Sequence, residues 1–234
     1  MVRKRLILLS ILVIFISGIQ GAQARPKAKA NGLANYTVIH AIPSGFGADV
    51  VDVYANGKLI IDNATPGASK SFTVPRGNVL VRIYANGVIP GDTTTALLSA
   101  PATYLSSESD YSYVAHLTAD EKPALSRFKN MTTEAGSKRS WLTVRHVAGA
   151  PAVQLRLNSS PLFAPISNGV ERKKSFNSGT YSFDAVTGET STAVIAPYSI
   201  TLEKKKNVVL YIWGAKSKGS FAIFKQEIMT RKDD

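Results

Sequence analysis

Three histidines, His40, His116 and His146, are the side chains of this sequence best suited to acid–base or metal chemistry. Their spacing decides what is open to them. None forms a His-x-His or His-x-x-x-His pair, the spacings that put two imidazoles on one ion. His40 and His146 belong to different copies of a repeated pattern, so they are not expected to share a metal. His40, His116 and Asp49 could converge if their strands are neighbours, but histidines hydrogen-bonded at strand ends are the simpler reading. No metal site is therefore assigned. Nucleophilic catalysis finds no cysteine and no Gly-x-Ser-x-Gly elbow. Asp49 and Asp52 lie three apart, on opposite faces of a regular strand. Glu108, Asp110, Asp120 and Glu121 fall in polar turns and read as solvated charge. Gly45-Phe46-Gly47 precedes a strand and not a helix, so it does not make a phosphate cradle. No catalytic residue and no cofactor follow from this pattern, and an extracellular hydrolase is the remote alternative.

The elements that position these residues are written twice. Thr37-Val38-Ile39-His40 returns as Thr143-Val144-Arg145-His146, and Val51 to Gly57 returns as Val153 to Ser159. Gly67 and Gly77 recur as Gly169 and Gly179, and Tyr113-Val114 is matched to Tyr211-Ile212. Copy one holds extra residues in two places, at Ser44-Gly45-Phe46-Gly47 and between Asn86 and Asp110. The first insertion is expected to project Phe46 between flexible glycines, as a candidate interaction loop, unless the ring folds back over the sandwich end.

Within each copy the pattern is that of short strands. Tyr36 to Ile42 precedes Val50 to Ala55, and Asn56-Gly57 then leads into Lys58 to Asp62. Asn-Gly between two β-prone runs is a strong hairpin signal because both central positions of a type I′ turn need positive φ. Ser69 to Val74, Val79 to Ala85, Thr94 to Ala100, Asp110 to Thr118 and Ala124 to Lys129 continue the series, with Leu80 breaking the alternation. No window has a sustained helical period. The fold class expected is all-β: two tandem immunoglobulin-like antiparallel β-sandwiches. The boundaries predicted are 1–24 for a signal peptide, 25–35 for a flexible leader, 36–130 for the first sandwich, 131–139 for a linker, 140–229 for the second sandwich and 230–234 for a polar tail.

The signal peptide rests on Arg3-Lys4-Arg5, an apolar run from Leu6 to Ile16, and Ala22-Gln23-Ala24, which predicts cleavage between Ala24 and Arg25. The run is shorter than the ~20 residues needed to cross a bilayer, and no later segment is long and apolar enough. The expected address is the exterior or cell envelope. The formal charge of +12 stays clearly positive after those three basic residues are removed. Two clusters carry much of it, Arg172-Lys173-Lys174 and Lys204-Lys205-Lys206. They read as solvated turns and edges, or as contacts to an anionic surface. Nothing matches a nucleic-acid-binding motif. Asn35, Asn63, Asn130 and Asn158 open Asn-x-Ser/Thr sequons at predicted edges and turns.

Val38-Ile39-His40-Ala41, then Ile42-Pro43, then Asp49 to Gly57, resembles the opening of the bacterial family called domain of unknown function 4397. Its members run as a strand ending in His-Ala-x-Pro, a short loop, and Val-Asp-Val-Tyr-x-Asn-Gly. The resemblance implies exported or surface-located β-sandwich domains, often in tandem, with no established activity. Copy two departs from it, with Gln154 for Asp52, Arg156 for Tyr54 and Ser159 for Gly57. The function expected is a non-catalytic exported module that binds envelope polysaccharide, another anionic polymer or a surface protein. The alternative is a structural spacer or subunit.

Overall fold

The computed structural model describes residues 32–91, 93–187 and 193–232. The signal peptide, its Ala24–Arg25 cleavage point and most of the leader lie outside them. Apart from one 3-10 turn at Lys216–Lys218, the regular elements of the described residues are strands. In order these are β1 (Leu33–His40), β2 (Val51–Ala55), β3 (Lys58–Ala64), β4 (Ser69–Pro75), β5 (Gly77–Val79), β6 (Val81–Ala85), β7 (Leu98–Ser99), β8 (Thr103–Leu105), β9 (Asp110–Leu117) and β10 (Pro123–Lys129). The second set is β11 (Arg139–His146), β12 (Val153–Leu157), β13 (Ser160–Pro161), β14 (Glu171–Asn177), β15 (Gly179–Thr187), β16 (Ala193–Leu202), β17 (Lys206–Ala215) and β18 (Ser220–Met229). Strand β1 begins at Leu33, so the end of the expected leader is already sheet.

The sheet order repeats. The first set pairs as β10-β9-β1-β4 and β3-β2-β6-β7, and the second as β18-β17-β11-β14 and β13-β12-β15-β16. Strand β15 is one strand where the first set has β5 and β6, broken at Leu80. There Asn56 intrudes: its side-chain oxygen accepts from the Leu80 N–H at 2.8 Å. At the β2–β3 turn Asn56 and Gly57 both have positive φ, 50° and 79°, as the Asn-Gly pair requires.

The β-sandwich class holds, with a strand order of its own. An immunoglobulin sandwich puts its first two strands in one sheet. Here β1 and β2 lie in opposite sheets, and β1 pairs with β9 in parallel, as β11 does with β17. The parallel register also corrects one equivalence. His40 lies opposite Ala115, and His146 opposite Ile212. Tyr211 therefore corresponds to Val114, not to Tyr113. A one-residue slip exchanges the two faces of a strand: Tyr113 belongs to the core of the first sandwich and Tyr211 to a different cluster.

That different cluster joins the sandwiches. Ile39, Ala41, Val114 and Phe128 from the first pack with Val147, Val209, Tyr211 and Ile228 from the second. The sheet containing β1 is thus covered on both faces, as is the sheet containing β11, which is why β9 and β17 are buried almost throughout. A buried polar chain runs beside this apolar patch. Arg145, at 0% exposure, donates to Tyr211 Oη at 2.6 Å, Asn130 Oδ1 at 2.8 Å and Glu171 Oε2 at 2.9 Å. Its guanidinium lies 4.5 Å from the Phe128 ring centroid. Gln226 accepts from Tyr211 and Ser112 and donates to Thr37 at 2.9 Å. The closeness depends on Gly149, where an added Cβ would fall 2.7 Å from Glu121 Cγ.

The segments read as linker and tail are paired with one another. The Glu134 N–H donates to the Arg231 carbonyl and the Arg231 N–H to that of Thr132, each at 2.8 Å. Trp141 Nε1 donates to the Thr133 carbonyl. Arg231 then reaches back to Glu108 of the first sandwich at 2.7 Å, so the described residues of neither segment form a free tether.

Candidate binding end of the first sandwich

The histidines close loops. His40 ends β1, and its Nε2 lies 2.7 Å from the Ala48 carbonyl while its Nδ1 accepts from the Ile42 N–H at 3.3 Å. This pairing requires the neutral ring with the proton on Nε2. His146 repeats the arrangement, with Nε2 2.8 Å from the Pro151 carbonyl and Nδ1 accepting from Ala148 N–H at 3.3 Å. His116 pairs Nδ1 with the Leu117 carbonyl and Nε2 with Ser126 Oγ, both at 2.8 Å. Burial is the largest influence on all three and holds each imidazolium pKa below its ordinary value. His40 sits opposite Ala115, so the next residue on β9, His116, points to the other face of the sheet. The three-residue convergence with Asp49 does not form. Among the described residues no cluster of three metal-ligating side chains occurs.

The loop that His40 holds is one wall of a cavity of about 230 Å³ at the end of the first sandwich. Gly47, Ala48 and Val51 line it from the inserted loop and β2, Ile83 from β6, and Leu97 and Leu98 from the approach to β7. Asp49 Oδ1 accepts from the Gly45 N–H at 2.6 Å and ties the insertion into a compact turn. Phe46 does not project. It is half-buried against the first core, with Lys218 Nζ of the second sandwich 5.9 Å from its ring centroid. Copy one's second extension falls in the β6–β7 connection, which runs from Ile83 to its partner Leu98 against only Ala185 to Ile195 in copy two. The stretch of this connection around exposed Ile89 lies on the outer face of β2 and β6, where Tyr54 Oη donates to the Val88 carbonyl and Pro90 adjoins Tyr54, Arg82 and Tyr84. Further along the connection Leu97, 47% exposed, reaches the cavity lining, and Val50, next to Val51, is 38% exposed. Both extensions of copy one therefore meet at one end, around an apolar cavity with an apolar surround. Ala96-Leu97-Leu98, an apolar run at the end of a turn-rich extension, was the sequence signal for this mouth.

The other residues singled out have structural work. Asp52 is buried and accepts from the Asn63 N–H at 2.9 Å and the Gly87 N–H at 2.8 Å, fastening the β3 end and the β6–β7 loop. Tyr54 packs edge-on against Tyr84 and faces Arg82 across the sheet. In copy two that cross-strand pair is Arg156 and Asp184, which form a two-pronged ion pair at 2.7 and 2.6 Å. Gln154 takes Asp52's place and donates to the Phe163 carbonyl.

The basic clusters separate. Arg172, Lys173 and Lys174 are exposed along β14, a sheet edge, as are Lys204 and Lys205 in the β16–β17 turn. Lys206 is committed to Glu203 and Glu227, each at 2.8 Å, so the structure does not leave it as a surface contact. Of the sequons, Asn63 is exposed near the end of β3 and Asn158 in a turn, whereas Asn35 and Asn130 are buried.

Two stacked sandwiches with an open, loop-built apolar end define a modular β protein. The chain belongs to the family described as Domain of unknown function (DUF4397), whose model matches residues 34–156. That span takes in the first strand set from the second residue of β1, together with β11 and most of β12. No curated protein matches the chain. Among solved structures, the Bacillus anthracis TIE protein is similar over 86% of this chain at 10% identity, with a TM-score of 0.23. The chain spans 34% of that protein's length. The CBM26-family module CBMbc of Eubacterium rectale Amy13K, in complex with maltoheptaose, is similar over 82% of this chain and 97% of its own length. Its identity is 10% and its TM-score 0.26. At these scores neither likeness bears on function.

Proposed function

We propose that this chain is an exported, non-catalytic binding module that docks on a cell-surface protein through the loop end of its first sandwich. The observation that carries this is the apolar cavity of about 230 Å³, with exposed Leu97 in its lining and exposed Val50 beside the lining residue Val51. Apolar surface gathered around a recess suits an apolar side chain of a partner better than the hydroxyls of a polysaccharide. The non-catalytic reading is supported by the cavity's chemistry. Among the described residues that line it, His40 alone is titratable, and both of its ring nitrogens are engaged. A general base needs a free nitrogen within reach of substrate.

A second reading, a rigid structural spacer, is favoured by the buried Arg145 network that locks the sandwiches together. Retention of the protein on isolated cell envelope separates the two. Docking through the apolar end predicts retention that persists in high salt and is lost in Val50→Asp and Leu97→Asp variants. Retention abolished by salt and indifferent to these changes would point instead to the basic clusters. No retention in any buffer would leave the spacer.

A further inference from the structure

A second recess lies on the flank of the first sandwich, away from the loop end. It is an open groove of about 740 Å³ between β3 and β4, the edge strands of the two facing sheets. Its floor is apolar: Tyr36 and Phe72 stack with centroids 5.0 Å apart, and Ile60 and Val74 continue the surface. Its rim carries two exposed cations, Lys58 and Arg76, and no carboxylate lines it among the described residues. Lys70 bridges the walls. Its Nζ donates to the Ile60 carbonyl at 3.1 Å and lies 5.5 Å from the Phe72 ring centroid. Copy two builds the equivalent flank differently. There β13 is only two residues long, and Leu162 and Phe163 turn in against the second core.

We infer that this groove binds an amphiphilic anion, an acyl chain or other apolar body carrying a single carboxylate or phosphate-type head. The apolar floor removes the body from water. Lys58 and Arg76 receive the head through charge-assisted hydrogen bonds. The volume falls within the range of ordinary ligand sites, which pair a mostly apolar lining with a few polar groups. Edge lysines also discourage strand pairing, but that role needs neither a pocket nor an apolar floor. Phe72 has one ring face against Tyr36 and the other near Lys70, so sugar stacking is not what the groove offers.

The test uses the intact protein and two probes of equal tail length, dodecanoate and dodecyltrimethylammonium, titrated below their micelle concentrations by calorimetry. Dodecanoate should bind saturably, at least about tenfold more tightly than the cationic amphiphile, and more weakly as salt rises. The double variant Lys58→Gln/Arg76→Gln should lose about tenfold in dodecanoate affinity with unchanged melting. Arg172→Gln/Lys173→Gln, equal in charge change but outside the groove, should bind as the unmodified protein does. Equal binding of the two amphiphiles, an equal loss in both double variants, or no saturable binding would each overturn the assignment. The loop-end variants at Val50 and Leu97 should leave dodecanoate binding intact, which keeps this result separate from the docking proposal.

Discussion

Arg145 Nη2 of the second sandwich donates a 2.8 Å hydrogen bond to Asn130 Oδ1 of the first, with both residues buried. Asn130 is held in turn by Asp110 and Ser112, and Arg145 by Tyr211 and Glu171. Removing one member of such a cluster leaves desolvated partners without compensation, a loss of about 3–5 kcal/mol for a buried charge pair. Both tryptophans, Trp141 and Trp213, belong to the second sandwich, so their fluorescence reports that sandwich while far-ultraviolet circular dichroism reports both. In the unmodified protein the two signals should give one urea midpoint. In Arg145→Ala the midpoints should fall and separate. Unchanged midpoints would show that the network does not couple the sandwiches.

Protons should act on the same structure. His40, His116 and His146 all have folded-state pKa values depressed mainly by burial. The unfolded chain therefore binds protons before the folded one does. Their contribution to stability is complete above the unfolded value of about 6.5 and is lost as pH falls toward the depressed folded values. Stability measured by urea unfolding should decline from pH 7 to 5. In His40→Gln that decline should be shallower.

Phe46 is half-buried on the first core and capped by Lys218, so it is a packing residue with one exposed side. Phe46→Ala should cost about 1–2 kcal/mol, less than the ~3–5 of a fully buried phenylalanine. Urea unfolding reads this directly. A melting curve identical to the parent's would return Phe46 to the role of a free contact residue.

Asp52 uses its two oxygens on two different backbone donors, Asn63 and Gly87. Asp52→Asn turns one acceptor into a donor facing an N–H, so a loss of about 1–3 kcal/mol is expected. Because Gly87 leads into the Ile89 loop, amide exchange at Gly87 and Val88 should quicken in this variant more than at the Phe128 amide in β10. Uniform exchange rates would contradict the tie.

The strands were legible because each copy alternates cleanly and punctuates its turns with Gly, Asn and Pro. Even the Leu80 irregularity in the sequence marks the break between β5 and β6. The stacking of the sandwiches was not legible, because Thr37 and Ser112 alternate with core residues as solvent-facing residues would, and Asn130 and Gln226 are polar residues beside charged neighbours. For Thr37 and Ser112, local alternation cannot distinguish a wet polar face from a dry hydrogen-bonded one. Arg145 in the place of Ile39 was the one visible anomaly. The Tyr113–Tyr211 match failed for a related reason: identity of type outweighed the face-flipping effect of a single residue. At the candidate site the insertions could be counted, but not that both would fold to the same end, which depends on β1, β2, β6 and β7 all presenting their loops there.

Site-specific photocrosslinking on intact cells tests the docking claim most directly. A photoreactive amino acid at Leu97 should capture an envelope protein as a discrete higher-mass band. The same group at Thr201, exposed on the outer sheet of the second sandwich, should capture none. Equal capture at both positions, or none at Leu97, would contradict docking through the loop end of the first sandwich.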